Sequence, residues 1–436
     1  ISGTISADSS FNGDGGRVII WADGVTTFTG DLSATGSGSG SGGFAEVSGK
    51  NILNFEGSVD LTASNGQTGS LLLDPSNITI SSATDASNTG NPNFAPDGAP
   101  SSSVINLTTL NNALQSSNVT ITTSSLASER GDVTISGAIQ PTGDTTNNSL
   151  TITADGSINM YSGSIDLNAG ALVLTAGQIA SDGNIFLGST ITAGSVTLQA
   201  DDVMTLTGAV STNSISTTVG LNTGAVTITA IGASELTADV KNGTLNYTST
   251  GATTINQVTG GTGSVTINAP SVNDHASDTI ADITADTVSI TGTSGIGNSA
   301  PVDIASAAGI TLIATSGNID VDHVADASTT VSNIQTGSGT VTFDQTGNET
   351  LGITIASTTN GTITVNNTGG TLTLGDLTAG GSGDLALSTI NSGNIAVGAL
   401  NAASDDVTLT SAGSITDDNA GTTNVTAANL TFSAGS

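Results

Sequence analysis

The sequence has no cysteine and four basic side chains, Arg17, Lys50, Arg130 and Lys241, among 436 residues. Without cysteine there is neither a disulfide framework nor a thiolate site. That absence suits export of an unfolded chain. Four scattered cations cannot neutralise a phosphate backbone, which excludes nucleic acid as a partner, and they cannot hold an anionic membrane surface either. No apolar run approaches the roughly 20 residues of a membrane helix. The opening residues, Ile1-Ser2-Gly3-Thr4-Ile5, include no initiator Met and no signal peptide, so the sequence is expected to be an internal piece of something larger.

Charge is scarce in number and one-sided in sign. Charged residues make up 9% of the chain, and 36 acids against four bases give a formal charge of −32. Low hydrophobicity with such a charge would indicate disorder. Here 36% of the residues are apolar and mean hydropathy is +0.15, and Ile, Val and Leu alternate with Thr, Ser, Asn and Gly. That is a β composition.

The alternation repeats. An apolar-x-apolar unit recurs at Leu150, Leu172, Val196, Val226, Leu245, Val265, Val288, Ile310, Val341, Ile363, Leu385, Val407 and Leu430, with a median spacing of 22 residues. A weaker apolar pair follows about half a period later, as at Ile319 and Val321 or Ile395 and Val397. Gly, Asn-Gly and Asp-Gly punctuate between them and supply the positive φ of tight corners. Such a unit cannot bury its inward side chains alone; stacking coil on coil buries them and pairs the backbone at about 4.8 Å per coil.

The pattern predicts an all-β, right-handed parallel β-helix, a rod of roughly 20 coils from 436/22, less whatever leaves the helix. Residues 1–80 form N-terminal coils and 118–436 regular repeats. Between them, 81–117 is a Pro-rich insertion holding Pro92, Pro96 and Pro100 and one short helix over Leu107 to Leu114, expected to protrude from the rod or cap it.

Residues 15–80 carry GGRVIIWADGVTTFTGDLSATG, GGFAEVSGK and FEGSVDLTASNGQTGSLLLDPSNITI, followed by LTTLNNALQSSNVTIT from Leu107. In order and spacing this resembles the β-helical region of filamentous-haemagglutinin-like, two-partner-secreted exoproteins, over about 120 residues. The rest matches in composition and coil style. The resemblance implies a large surface-exposed or released fibre of a Gram-negative envelope, exported through an outer-membrane transporter of the two-partner type. It leaves open end-to-end or lateral self-association and the identity of the adhesive ligand. The family's Asn-Pro-Asn signatures belong to an N-terminal secretion domain, and Asn91-Pro92-Asn93 here lies inside the insertion and reads as loop chemistry.

Carbohydrate lyases and hydrolases of this fold combine clustered Asp with a basic residue. The pairs Asp201-Asp202, Asp405-Asp406 and Asp417-Asp418 have no cation near them in sequence, so no catalytic residue and no enzyme activity are expected. These six aspartates are the Ca²⁺ candidates. The alternative is that no cofactor is bound: 31 of the 36 acids are Asp, the others being Glu46, Glu56, Glu129, Glu235 and Glu349, and Asp columns at coil spacing are screened by any divalent ion. His275 and His323, each beside Asp, read as solvated turn residues. Outward Thr pairs at Thr120/Thr122, Thr151/Thr153 and Thr227/Thr229 raise an ice- or mineral-binding face, which requires recurrence at every coil. Of three readings, a structural or adhesive cell-surface fibre leads, before a carbohydrate-active β-helix enzyme and an ice- or mineral-binding solenoid.

Overall fold

Branched apolar residues at every second position make each segment a strand with one face to bury, and the recurrence of that segment supplies its partners. A computed structural model of the chain describes residues 1–82, 103–125, 130–142, 147–177, 183–201, 204–206, 209–212, 214–219, 225–231, 234–275 and 280–435. The insertion prolines, Asn91-Pro92-Asn93 and Asp202 lie outside the described residues. The fold is an all-β parallel solenoid, with one short helix among the described residues. It falls into two compact units, Ile1–Asn222 with Thr227–Thr229, and Thr223–Val226 with Ala230–Ser436.

In the first unit, one wall is a parallel sheet of Arg17–Ala22, Phe44–Gly49, Ser70–Asp74, Asn118–Thr122, Leu150–Ala154, Ala171–Ala176, Ser195–Ala200 and Ser214–Val219. A second wall runs through Val25–Phe28, Ile52–Phe55, Ser103–Asn106, Ile78–Ser81, Val133–Ile139, Ile158–Asp166, Ile185–Leu187 and Met204–Leu206. This order departs from the chain order. Ser103–Asn106 is wedged between two strands that precede it in sequence, and the Ser103 hydroxyl accepts the Leu53 N–H at 2.9 Å.

A third wall starts with Thr4–Ser6, Asp31–Ser33 and Ser58–Asp60. The next place in it is taken by the helix Leu107–Ser116. Asn106 caps the helix by accepting the Thr108 N–H at 2.8 Å, and Leu107, Leu110, Ala113 and Leu114 turn inward at the 3-and-4 spacing of one face. On one side Ser116 donates through Oγ to the Val59 carbonyl and accepts the Leu61 N–H; on the other Asn111 donates to the Ala138 carbonyl and accepts the Gln140 N–H. The sequence places a helix here correctly, but as a protrusion or cap. In the structure it replaces a strand in the wall, because its apolar stripe is wide enough to close the same core.

The second unit is more regular. Ile319–Val324, Val341–Thr346, Ile363–Thr368 and Leu385–Ile390 stack in parallel, with Ile319, Val341, Ile363 and Leu385 in register at intervals of 22 residues. The first coils are longer: Ala22 lies opposite Gly49, an interval of 27. The described residues make about 15 turns, fewer than the roughly 20 obtained by dividing the length by one repeat, the longer first coils accounting for part of the difference.

Inward columns of Ile, Val and Leu are almost wholly removed from water, for example Val47, Leu73, Ile121, Ile152 and Leu174 at 0% exposure. Each such side chain contributes about 1.5–3 kcal/mol of burial. Phe28 and Phe55 stack within the first unit at 5.9 Å between centroids and 12° between planes. Corners close on backbone with no Cβ: Gly347, at φ +113°, would place one 1.9 Å from the Ala325 carbonyl oxygen.

Because Leu110 belongs to a wall, Leu110→Ala is expected to destabilise the first unit by about 2–5 kcal/mol, as for a core leucine. Urea denaturation of the two proteins measures this; a change near zero would mean the helix lies outside the core.

Candidate functional site

Polar side chains that the sequence leaves without a role are used to join coils. Asp8 accepts the Thr35 N–H at 2.7 Å and hydroxyls from Ser6, Ser33 and Thr35 at 2.7, 2.8 and 3.0 Å. The Thr35 backbone bond leads in holding its carboxyl down at about 2. Asn12 and Asp14 accept the N–H groups of Ser39 and Ser41, both 27 residues further on. In the second unit Asn318 accepts from Thr340 N–H, Asn360 from Ser382 N–H and Asp384 from Asp406 N–H, all 22 residues on. A carboxylate or carboxamide at a corner thus caps a backbone donor of the following coil.

None of the described sequence candidates joins a group of three converging carboxylates. Asp201 is half-buried just after Ser195–Ala200, and its partner Asp202 is not among the described residues. Asp405 is half-buried, while Asp406 receives the Asn429 amide at 2.7 Å. Asp417 accepts the Asn419 N–H and the Asn424 side-chain amide, both at 2.9 Å, and the Asn424 bond leads in lowering its pKa. Asp418 is exposed.

Among the described residues, the three carboxylates that do converge are Asp274, Asp282 and Asp303, each offering an oxygen within 4.8 Å of the others. Asp282 is 2% exposed and accepts the Asp303 N–H at 2.9 Å. Burial, opposed by that bond and reinforced by the charges of Asp274 and Asp303, pushes its pKa up to about 8. Oxygens this close either gather round a cation or share a proton. A protonated Asp282 is a donor, and the carboxyl of Asp274 is the acceptor beside it. The sequence signal was faint, since Asp282, Asp303, Asp322 and Asp344 follow at unequal steps of 21, 19 and 22. Asp303, Asp322 and Asp344 stand in register on three neighbouring strands, and this carboxylate column ends at Asn366, whose amide donates to Asp344 Oδ1 at 2.6 Å. Burial first, and then neighbouring carboxylates, raise the pKa of Asp320 and of Asp322.

The two histidines part company. His275 is partly exposed, with Nδ1 3.9 Å from Glu235 Oε1. His323, expected in a solvated turn, is instead 1% exposed inside the strand Ile319–Val324. Its neighbour Asp322 points outward, so the strand alternation carries the imidazole into the core. The paired outward threonines Thr120/Thr122 and Thr151/Thr153 are in register, but the next two coils present Val173/Thr175 and Thr197/Gln199. That array extends over two coils.

Arg17, Arg130 and Lys241 act locally: Arg17 lies over the Phe44 ring at 4.8 Å, Arg130 is 3.9 Å from Asp132, and Lys241 is 2.6 Å from Asp239. The first pair lines a groove together with Asp14, Gln67 and the glycines Gly15, Gly42 and Gly69.

These features define a parallel β-solenoid whose polar residues serve its own stacking. No protein-family profile and no curated protein matches the sequence.

Asp282 gives a prediction with a definite sign. Its carboxyl binds a proton more tightly folded than at the unfolded value of 3.8, so its contribution is full below that pH and is lost as pH rises through about 8. Relative to Asp282→Asn, which keeps a donor and an acceptor, the native protein should lose about 1.4 kcal/mol per pH unit across that window. Denaturation midpoints of both proteins from pH 4 to 9 test it; parallel curves would contradict it.

Proposed function

We propose that the chain is a structural and adhesive repeat segment of a secreted cell-surface fibre, carried across the outer membrane by a two-partner transporter and displayed outside a Gram-negative cell. The observation that supports this reading is the use of the polar residues. Asp8, Asn12, Asp14, Asn318, Asn360 and Asp384 each accept a backbone N–H one coil away, which is the economy of a scaffold. The resemblance over Gly15 to Ile80 points the same way. Two compact units of stacked coils are extendable by adding coils, since each coil needs only its neighbours.

The groove beside Arg17 favours the second reading, a carbohydrate-active solenoid, because an acid, a guanidinium and an aromatic ring meet there. Pectin, alginate and other uronic-acid polymers are expected to be unchanged by the protein; turnover abolished by Asp14→Asn or Arg17→Ala would favour the enzyme.

For the leading reading, intact producing cells should lose the protein to added protease, and cells lacking the outer-membrane transporter should retain it inside. Full protection in intact cells would refute surface display. Beads coated with the purified chain should adhere to target cells or glycan arrays above uncoated beads.

A further inference from the structure

His323 stands at one end of a buried polar column. At intervals of 22 residues the same inward position is held by His323, Gln345, Asn367, Thr389 and Ser411, none more than 4% exposed. On the other side of His323 the register continues with Ile304. The amide of Gln345 donates to the Glu349 carbonyl at 3.2 Å and to Asn367 Oδ1 at 3.1 Å. Asn367 in turn donates to the carbonyls of Glu349 and Thr371, both at 3.1 Å. Gln345 therefore has only its carbonyl oxygen left for His323, and it lies 3.1 Å from Nδ1. The chain of donors assigns the proton to Nδ1. Nε2 is left as an acceptor, buried and with no hydrogen-bond partner among the described residues.

We propose that His323 is an acid-sensitive joint of the second unit: a proton added at Nε2 creates a cation in the coil interior with no acceptor for the new N–H, and the strands Ile319–Val324 and Val341–Thr346 separate to hydrate it. The neutral ring fits the column; the imidazolium does not.

The charges around the ring do not rescue the cation. On its own strand Asp320 and Asp322 face outward, as do Asp303 and Asp344 on the two flanking strands. Asp326, in the exposed turn that follows, does favour the protonated ring, as does the Gln345 bond, but burial outweighs both and the pKa is lowered. Phe343 contributes an aromatic ring at 6.2 Å. None of the four basic side chains lies within 80 residues of His323 in sequence.

The sign separates this joint from the acids. A group with a lowered folded pKa that gains charge on protonation loses stability as pH falls below its unfolded value of 6.5. Asp74, Asp282, Asp320 and Asp322 have raised pKa values, so acid stabilises the fold through them. Asp8 and Asp417 do lose stability in acid, but below 3.8. Among the described groups whose pKa is displaced, His323 is the one that loses stability between pH 6.5 and 5.

With two histidines in the chain, proton–carbon correlation spectra of the imidazoles give one reporter each. The His323 signal is expected to stay neutral at pH values where free imidazole is half charged. Hydrogen exchange at Ile319–Val324 and Val341–Thr346 should speed up, after correction for intrinsic rates, by about tenfold per pH unit below 6.5. His323→Gln, which extends the amide column without a titrating group, should abolish that acceleration. An unperturbed or raised His323 titration overturns the proposal, as does the same acceleration in the variant. If the variant does not fold, the titration of the native protein decides alone.

Discussion

Everything in this molecule follows from parallel, in-register stacking. A coil that hydrogen-bonds to the next at about 4.8 Å places each side chain directly over its counterpart, so residues must be compatible with copies of their own kind. Aliphatic side chains satisfy that condition without restriction, which is why the inward columns are Ile, Val and Leu over many coils. Amides satisfy it too, since one end donates and the other accepts; Gln345 and Asn367 are such a pair in the interior. Charges of one sign do not.

The same constraint explains the tolerance of the first unit for irregular chain. What a neighbouring coil requires is an apolar surface and backbone groups at the right height, not a particular order of segments. Ser103–Asn106 meets that requirement between Ile52–Phe55 and Ile78–Ser81 although it comes after both in sequence. The helix Leu107–Ser116 meets it with four inward residues and side-chain bonds to Val59 on one side and Ala138 on the other. Stability in a stack of this kind is a sum over nearest neighbours. A weak coil pair can open while the others hold, and the behaviour inferred for His323 rests on that.

The fold was legible because its signal is one of period. Leu150, Leu172 and Val196 stand opposite one another as the repeat requires, and the 3-and-4 spacing of Leu107, Leu110 and Leu114 marked the helix. Where the helix goes was not legible, because periodicity shows which face is apolar and not what covers it. His323 was misplaced for a related reason. Beside Asp320 and Asp322 it looks like a polar turn, yet the two-residue alternation sends those acids out and the imidazole in. The grouping of Asp274, Asp282 and Asp303 escaped because it depends on register across coils of unequal length, and the sequence pairs Asp201-Asp202, Asp405-Asp406 and Asp417-Asp418 were conspicuous only as neighbours in the chain. Adjacent residues on a strand face opposite sides; convergent ones come from different coils.

How a chain of −32 stacks at all is decided by where its acids sit. At a corner the next coil presents a backbone N–H, and a carboxylate there meets a partial positive charge before it meets another carboxylate. Asp8 is the clear case, held more acidic than usual first by the Thr35 N–H of the next coil. In mid-strand the N–H groups are already committed to the sheet, so an outward acid meets the acid of the next coil. Asp320 and Asp322 are pushed the other way, by burial and by that repulsion. The sequence answers by breaking the column with Asn366 and Ser388 after Asp344, and by leaving the buried Asp282 able to keep its proton. Charge along this solenoid is therefore limited by position within the coil rather than by number, and any lengthening of the stack can add acids freely at corners but not along a strand.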